Sequence, residues 1–118
     1  MVKVLKAEEA RVSGTYLVGY LEDVNFMDLV TGLGEPTFDD PSGDDKVQVE
    51  WVCVFKGNVY TIYDWKTYDR EFTEWDLQQF NIGSKSARGY EVAEFVDAVR
   101  KLIADSYEKI DNDIARTG

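Results

Sequence analysis

Apolar residues recur at two spacings along the chain, and the change from one to the other marks its elements. Val2 and Val4 alternate with Lys3 and Lys6, the weak two-residue period of an edge strand over residues 1–6. Thr15–Leu21, within Gly-Thr-Tyr-Leu-Val-Gly-Tyr-Leu, reads as a second strand. The period then lengthens. Phe26, Leu29, Val30 and Leu33 fall on one face of a short helix, Phe26–Leu33. Asn25 is its expected N-cap, with Asp28 three residues on, and Gly34 and Pro36 stop it. The strongest signal is a hairpin over Lys46–Asp64. Val47, Val49, Trp51, Cys53 and Phe55 alternate with Gln48, Glu50, Val52 and Val54. The turn is expected at Lys56-Gly57-Asn58 and the return strand at Val59–Asp64. A polar stretch, Lys66–Thr73, leads to a further strand near Trp75–Ile82, which Gly83 and Ser84 end. The last element is a helix over Gly89–Ile114. Its stripe runs through Val92, Phe95, Val96, Val99, Leu102, Ile103, Tyr107, Ile110 and Ile114, so one whole face is expected to be buried.

These elements predict a single α+β domain: an antiparallel sheet of four or five strands packed against one long C-terminal helix, plus one short helix. Val52, Val54, Tyr60 and Ile62 are expected to share the second face of the hairpin. That face then needs cover from the short helix, the long loop or another chain, so self-association is one expectation.

Composition narrows the chemistry. The 118 residues contain no histidine and one cysteine, which removes Ser-His-Asp and Cys-His catalysis and His/Cys zinc sites. One cysteine cannot form an intramolecular disulfide, in keeping with a reducing compartment. The start lacks the apolar stretch of a signal peptide, and no apolar run is long enough to span a membrane. The charge balance, 13 Lys+Arg against 23 Asp+Glu, is −10. Such a chain is repelled by nucleic acid and by anionic lipid, and its natural partners are basic surfaces.

Four features carry candidate chemistry. The first is the loop Glu35-Pro-Thr-Phe-Asp-Asp-Pro-Ser-Gly-Asp-Asp, with Glu35, Asp39, Asp40, Asp44 and Asp45. Closely spaced carboxylates around a glycine resemble a calcium loop, but the EF-hand spacing is absent. A docking surface for a basic groove is a second reading, and a loop kept solvated by its charge is the simplest. The second is the acidity beyond that loop, notably Asp69, Glu71 and Glu74 before the strand near Trp75–Ile82 and the acids of the last helix. Enough of them on one face can occupy a nucleic-acid site on another protein.

The third is Leu77–Tyr90, a stretch without acids that contains Ser84, Lys85, Ser86 and Arg88 at the start of the long helix. Free backbone N–H groups with two cations are the ingredients of a phosphate or nucleotide site. The P-loop pattern is missing, and an ordinary N-cap role for Ser84 or Ser86 is the simpler reading. The fourth is an aromatic set, Tyr60, Tyr63, Trp65 and Tyr68, then Phe72 and Trp75. It can form core, anchor an interface or stack a base, with Lys66 beside Trp65 to hold a phosphate. Cys53 lies on the alternating strand and is expected to be buried and inert. No carboxylate pair stands out for acid–base work, so no enzyme, metal or cofactor is expected.

Gly34-Glu-Pro-Thr-Phe, Val49-Glu-Trp, Tyr60-Thr-Ile-Tyr-Asp-Trp-Lys and Asn81-Ile-Gly-Ser-Lys-Ser together resemble a family of small, mostly uncharacterised accessory proteins of tailed bacteriophages, over about residues 25–90. No functional residue carries over. The resemblance implies expression in a host cytoplasm and a non-enzymatic protein that disables a host factor or defence system. Three roles follow: an acidic inhibitor docked on a host protein's basic surface, without direct contact to nucleic acid or membrane; a sponge for a nucleotide signal; and an assembly protein acting as a homo-oligomer.

Overall fold

The computed structural model describes residues 2–10, 14–38, 49–64 and 78–117. Its elements are β1 (Lys3–Val4), β2 (Tyr16–Val24), α1 (Phe26–Leu33), β3 (Glu50–Phe55), β4 (Asn58–Tyr63), β5 (Gln78–Ser84) and α2 (Gly89–Thr117). The five strands form one antiparallel sheet in the order β1-β3-β4-β5-β2. The chain is therefore α+β. Strands β3, β4 and β5 form a meander, and the first two strands occupy its opposite edges.

Local sequence decides α1. The Asn25 side chain accepts from the Asp28 N–H at 2.7 Å, and the Asp28 carboxylate accepts from the Asn25 N–H at 2.9 Å. This reciprocal box satisfies two backbone donors that a helix start leaves free. At the other end Gly34 N–H donates to the Val30 carbonyl at 2.8 Å. The Trp51 indole N–H donates to the Gly34 carbonyl at 3.0 Å, which ties the end of α1 to the sheet.

The hairpin turn is shorter than its sequence implies. Phe55 pairs with Asn58, so the turn is Lys56-Gly57 alone, with both residues at positive φ (50° and 83°). Two positive-φ residues characterise the type I′ turn, whose twist suits a two-residue hairpin. The consequence reaches the core. Trp51 stands opposite Ile62, and Cys53 opposite Tyr60. Tyr60 and Ile62 therefore share the face of Trp51 and Cys53 rather than that of Val52 and Val54. Shifting a strand by one residue exchanges its faces. The second face carries Val52, Val54, Val59 and Thr61 instead.

β5 also departs from its expected bounds. Gly83 and Ser84 lie within the strand, opposite Thr61 and Tyr60, and do not end it. Gly83 is there for space. A Cβ at this position would stand 2.7 Å from Thr61 Oγ1 and 3.5 Å from the Tyr63 ring. Residues 75–77 of the expected strand lie outside the described residues.

The core lies between the helices and one face of the sheet. Trp51, Tyr60, Ile62, Phe80, Ile82 and Leu21 meet Leu29 of α1 and Phe95 and Val99 of α2, all fully buried or nearly so. Tyr60 and Phe95 stack with ring centroids 4.1 Å apart and planes 3° from parallel. The burial of α2 is partial. Val92, Phe95 and Val99 are buried, Ile103 and Tyr107 half-buried, and Ile110 is 45% exposed. The expected stripe thus loses its cover before its end. The sheet covers the first turns of α2 and the eight-residue α1 the next, where Tyr107 Oη donates to Asp28 Oδ1 at 2.7 Å. Among the described residues, no helix is long and apolar enough to cross a membrane.

Where α1 crosses α2, a Cβ on Gly32 would come within 2.7 Å of Ile103 Cγ1 and 3.1 Å of the α2 backbone. Gly32→Ala gains about 1 kcal/mol of helix propensity. Overpacking against a backbone that cannot swing aside costs about 1–3 kcal/mol. The clash prevails, and chemical denaturation should show a net loss of stability at an unchanged m-value.

Candidate functional site

Of the acidic residues singled out in the sequence, Glu35 is described: it is exposed, directly after the Gly34 cap. Asp39, Asp40, Asp44, Asp45, Asp69, Glu71 and Glu74 lie outside the described residues, as does most of the expected calcium loop. Half of the exposed acids among the described residues lie on α2. Glu94, Asp97, Asp105, Glu108 and Asp111 are all exposed, on the side of the helix away from Val92, Phe95 and Val99. Three cations stand among them. Arg100 turns its guanidinium to the Glu22 carbonyl of β2 at 2.8 Å, while Lys101 and Lys109 are exposed.

The loop into α2 differs from the expected anion site. Ser84 is buried, and its hydroxyl donates inward to the Val59 carbonyl at 2.8 Å, so it neither caps the helix nor faces a ligand. The first turn of α2 closes with Val92 N–H on the Arg88 carbonyl, which makes Arg88 the N-cap residue. Ser86 is therefore not the N-cap either. The Arg88 N–H donates to Glu91 Oε1 at 3.0 Å. That bond and one from the Asn58 amide, at 2.7 Å, hold the Glu91 carboxyl below its usual range. The chain's own carboxylate thus stands at the helix N-terminus, where an anion would gain most. Lys85, Ser86 and Arg88 are exposed, and Trp65 and Lys66 lie outside the described residues.

The structure also brings together residues that the sequence does not connect. The hairpin tip leans on the start of α2 and leaves a hollow of about 200 Å³. Tyr90, 66% exposed, supplies its open aromatic surface, while the buried Phe55 and Tyr60 form its floor. Asn58 and Glu91, joined by their hydrogen bond, line it as well. Lys56 and Glu94 pair there, with Nζ 2.6 Å from the carboxylate and 5.5 Å from the centre of the Phe55 ring. A second hollow, of about 180 Å³, lies where Asp23, Asp28 and Arg100 meet beside Ile103. Among the described residues, no group of three or more carboxylate or thiol side chains could hold a metal ion.

Cys53 is fully buried, and burial pushes its thiol from the ordinary 9.0 up to about 12. Burial likewise raises Tyr60 and Tyr63, and the bond to Asp28 raises Tyr107. Each group keeps its proton longer when folded. The stability these groups contribute is therefore complete below about pH 9 and is lost above it as the unfolded chain releases protons first. For Cys53 alone the slope is about 1.4 kcal/mol per pH unit between its two values. Urea unfolding from pH 8 to pH 10.5 should show this decline, and a shallower one in Cys53→Ala. The same shift predicts that thiol reagents label the native protein at pH 8 only through unfolding.

No protein family model, no curated protein and no solved structure matches this chain.

Proposed function

We propose that this chain is a non-enzymatic binding protein that sets its acidic surface on a basic surface of a partner protein and obstructs it. The observation that carries this reading is the row of exposed carboxylates on α2: Glu94, Asp97, Asp105, Glu108 and Asp111. They extend over about 26 Å of helix at 1.5 Å per residue. That is one carboxylate per roughly 5 Å, and Arg100, Lys101 and Lys109 in the same span leave a net charge of −2, far below the one charge per about 1.7 Å of duplex DNA. The helix alone is too sparse to copy a duplex backbone, and its spacing suits scattered lysines and arginines in a protein groove. On the resemblance to phage accessory proteins, the partner is a host factor or defence component met in the host cytoplasm.

The test is capture from bacterial lysate with the wild-type chain and with Asp97→Lys, Asp105→Lys and Glu108→Lys combined. All three side chains are exposed, so the variant should keep its melting temperature. The expected result is a stoichiometric partner held at low salt by the wild type and missed by the variant. A partner bound equally by both would overturn the reading.

The assembly role has its own support in β2, an edge strand on which Tyr16, Leu17 and Tyr20 are each about half exposed. A concentration-dependent dimer in sedimentation, lost in Leu17→Ser with Tyr20→Ser, would favour it.

A further inference from the structure

The hollow at the hairpin tip combines three properties. The exposed ring of Tyr90 stands over a floor formed by the buried Phe55 and Tyr60, the latter stacked on Phe95. Two carboxylates, Glu91 and Glu94, stand beside those rings, one of them fixed in place by Asn58 and the Arg88 N–H. And a cation already occupies the combination: the Lys56 ammonium lies over the Phe55 ring and against Glu94. From this we infer that the hollow is a receptor for one arginine side chain of a partner, which takes the place of Lys56.

The chemistry favours that occupant. A cation over an aromatic face gains from the ring quadrupole, and a neighbouring carboxylate adds to it. A guanidinium does both at once, stacking flat while its fork of donors meets a carboxylate, which a compact ammonium cannot match. Glu94 keeps a second oxygen to offer, since its bond to Lys56 uses Oε2 alone. Arg88 also carries charge near Glu91, but its bond to that residue runs through the backbone and leaves the guanidinium exposed.

The present occupant is held loosely. Lys56 and Glu94 are 64% and 46% exposed, and ion pairs so placed contribute little. Lys56 also sits in the turn itself, so its side chain can swing into water without moving the sheet. About 200 Å³ is below the size of a typical small-molecule pocket, which starts near 300 Å³, and is on the scale of a single side chain. An anchor of this kind at one end of the acidic row of α2 is where a basic partner would be gripped. In that respect the inference rests on the docking role proposed above.

The probe is N-acetylarginine amide, added to the full chain, with the uncharged N-acetylcitrulline amide as control. The readout is the ring resonances of Phe55, Tyr60 and Tyr90 by NMR. Saturable shifts with arginine and none with citrulline are expected. Lys56→Ala should bind the amide at least about threefold more tightly, and Glu94→Gln or Tyr90→Ala at least about threefold more weakly. These three side chains are exposed, so thermal melts should show folded variants. Absent or non-saturable shifts, equal shifts with citrulline, or no gain in Lys56→Ala would overturn the inference. The titration needs no partner protein, so it is decided separately from the docking role. A captured partner that Tyr90→Ala keeps and the α2 charge reversal loses would leave docking standing and remove the anchor.

Discussion

Trp51→Ala lowers stability by about 3–5 kcal/mol, the range for removing a large aromatic side chain from a packed core. Two losses combine there. The ring is fully buried, 5.7 Å from Phe26 of α1 and 6.3 Å from Phe80 of β5, so its removal leaves a hole bordered by both layers. Its indole N–H also satisfies the Gly34 carbonyl at the end of α1. Denaturant unfolding followed by circular dichroism measures the change, and a melting temperature more than about 10 °C lower should accompany it. Trp51→Phe keeps most of the volume and loses the hydrogen bond, so it separates the two terms. It should cost about 1–3 kcal/mol, from the lost hydrogen bond to the carbonyl of the exposed Gly34 and from a small void.

Phe95→Ala should be as severe, for a different reason. Phe95 is fully buried, lies flat on Tyr60 and is tilted 6.1 Å from Phe55. It is the main aromatic contact between α2 and the hairpin. Its loss costs about 3–5 kcal/mol and should loosen the start of α2 before the sheet. Hydrogen exchange would show this as faster exchange across residues 92–99 than across β3 and β4. Uniform acceleration over both would mean that helix and sheet unfold as one unit.

What the sequence revealed follows from how local each determinant is. The box of Asn25 and Asp28 needs four residues, and α1 begins and ends where its spacing places it. The hairpin pairing was legible from alternation, but its faces were not, because they depend on whether the turn has two residues or three. A lysine at positive φ is not a position that composition favours, and Lys56 takes it here. Gly83 read as a strand terminator because glycine usually punctuates. Its actual role is to let Thr61 and the Tyr63 ring come close, which only the three-strand register reveals. The stripe of α2 was correct in phase and too long in burial, since nothing along the helix states how far α1 extends beside it.

The candidate sites divide in the same way. The exposed acids of α2 are visible from their spacing against Val92, Phe95 and Val99. The hollow at the hairpin tip was not, because it joins Phe55–Tyr60 to Tyr90–Glu94, 30 or more residues on. Ser84 was misread for lack of a partner in sequence. Its bond runs to Val59, 25 residues earlier.

The most direct test of an acidic docking role is the salt dependence of the association rate with the captured partner, measured from about 50 to 500 mM salt. Charge steering raises such rates by one to three orders of magnitude and is screened over roughly 10 Å at 0.1 M. The account predicts an association rate that falls at least about tenfold across that range while dissociation changes little, and slower association at low salt for the triple charge reversal on α2. A wild-type association rate indifferent to salt would contradict it.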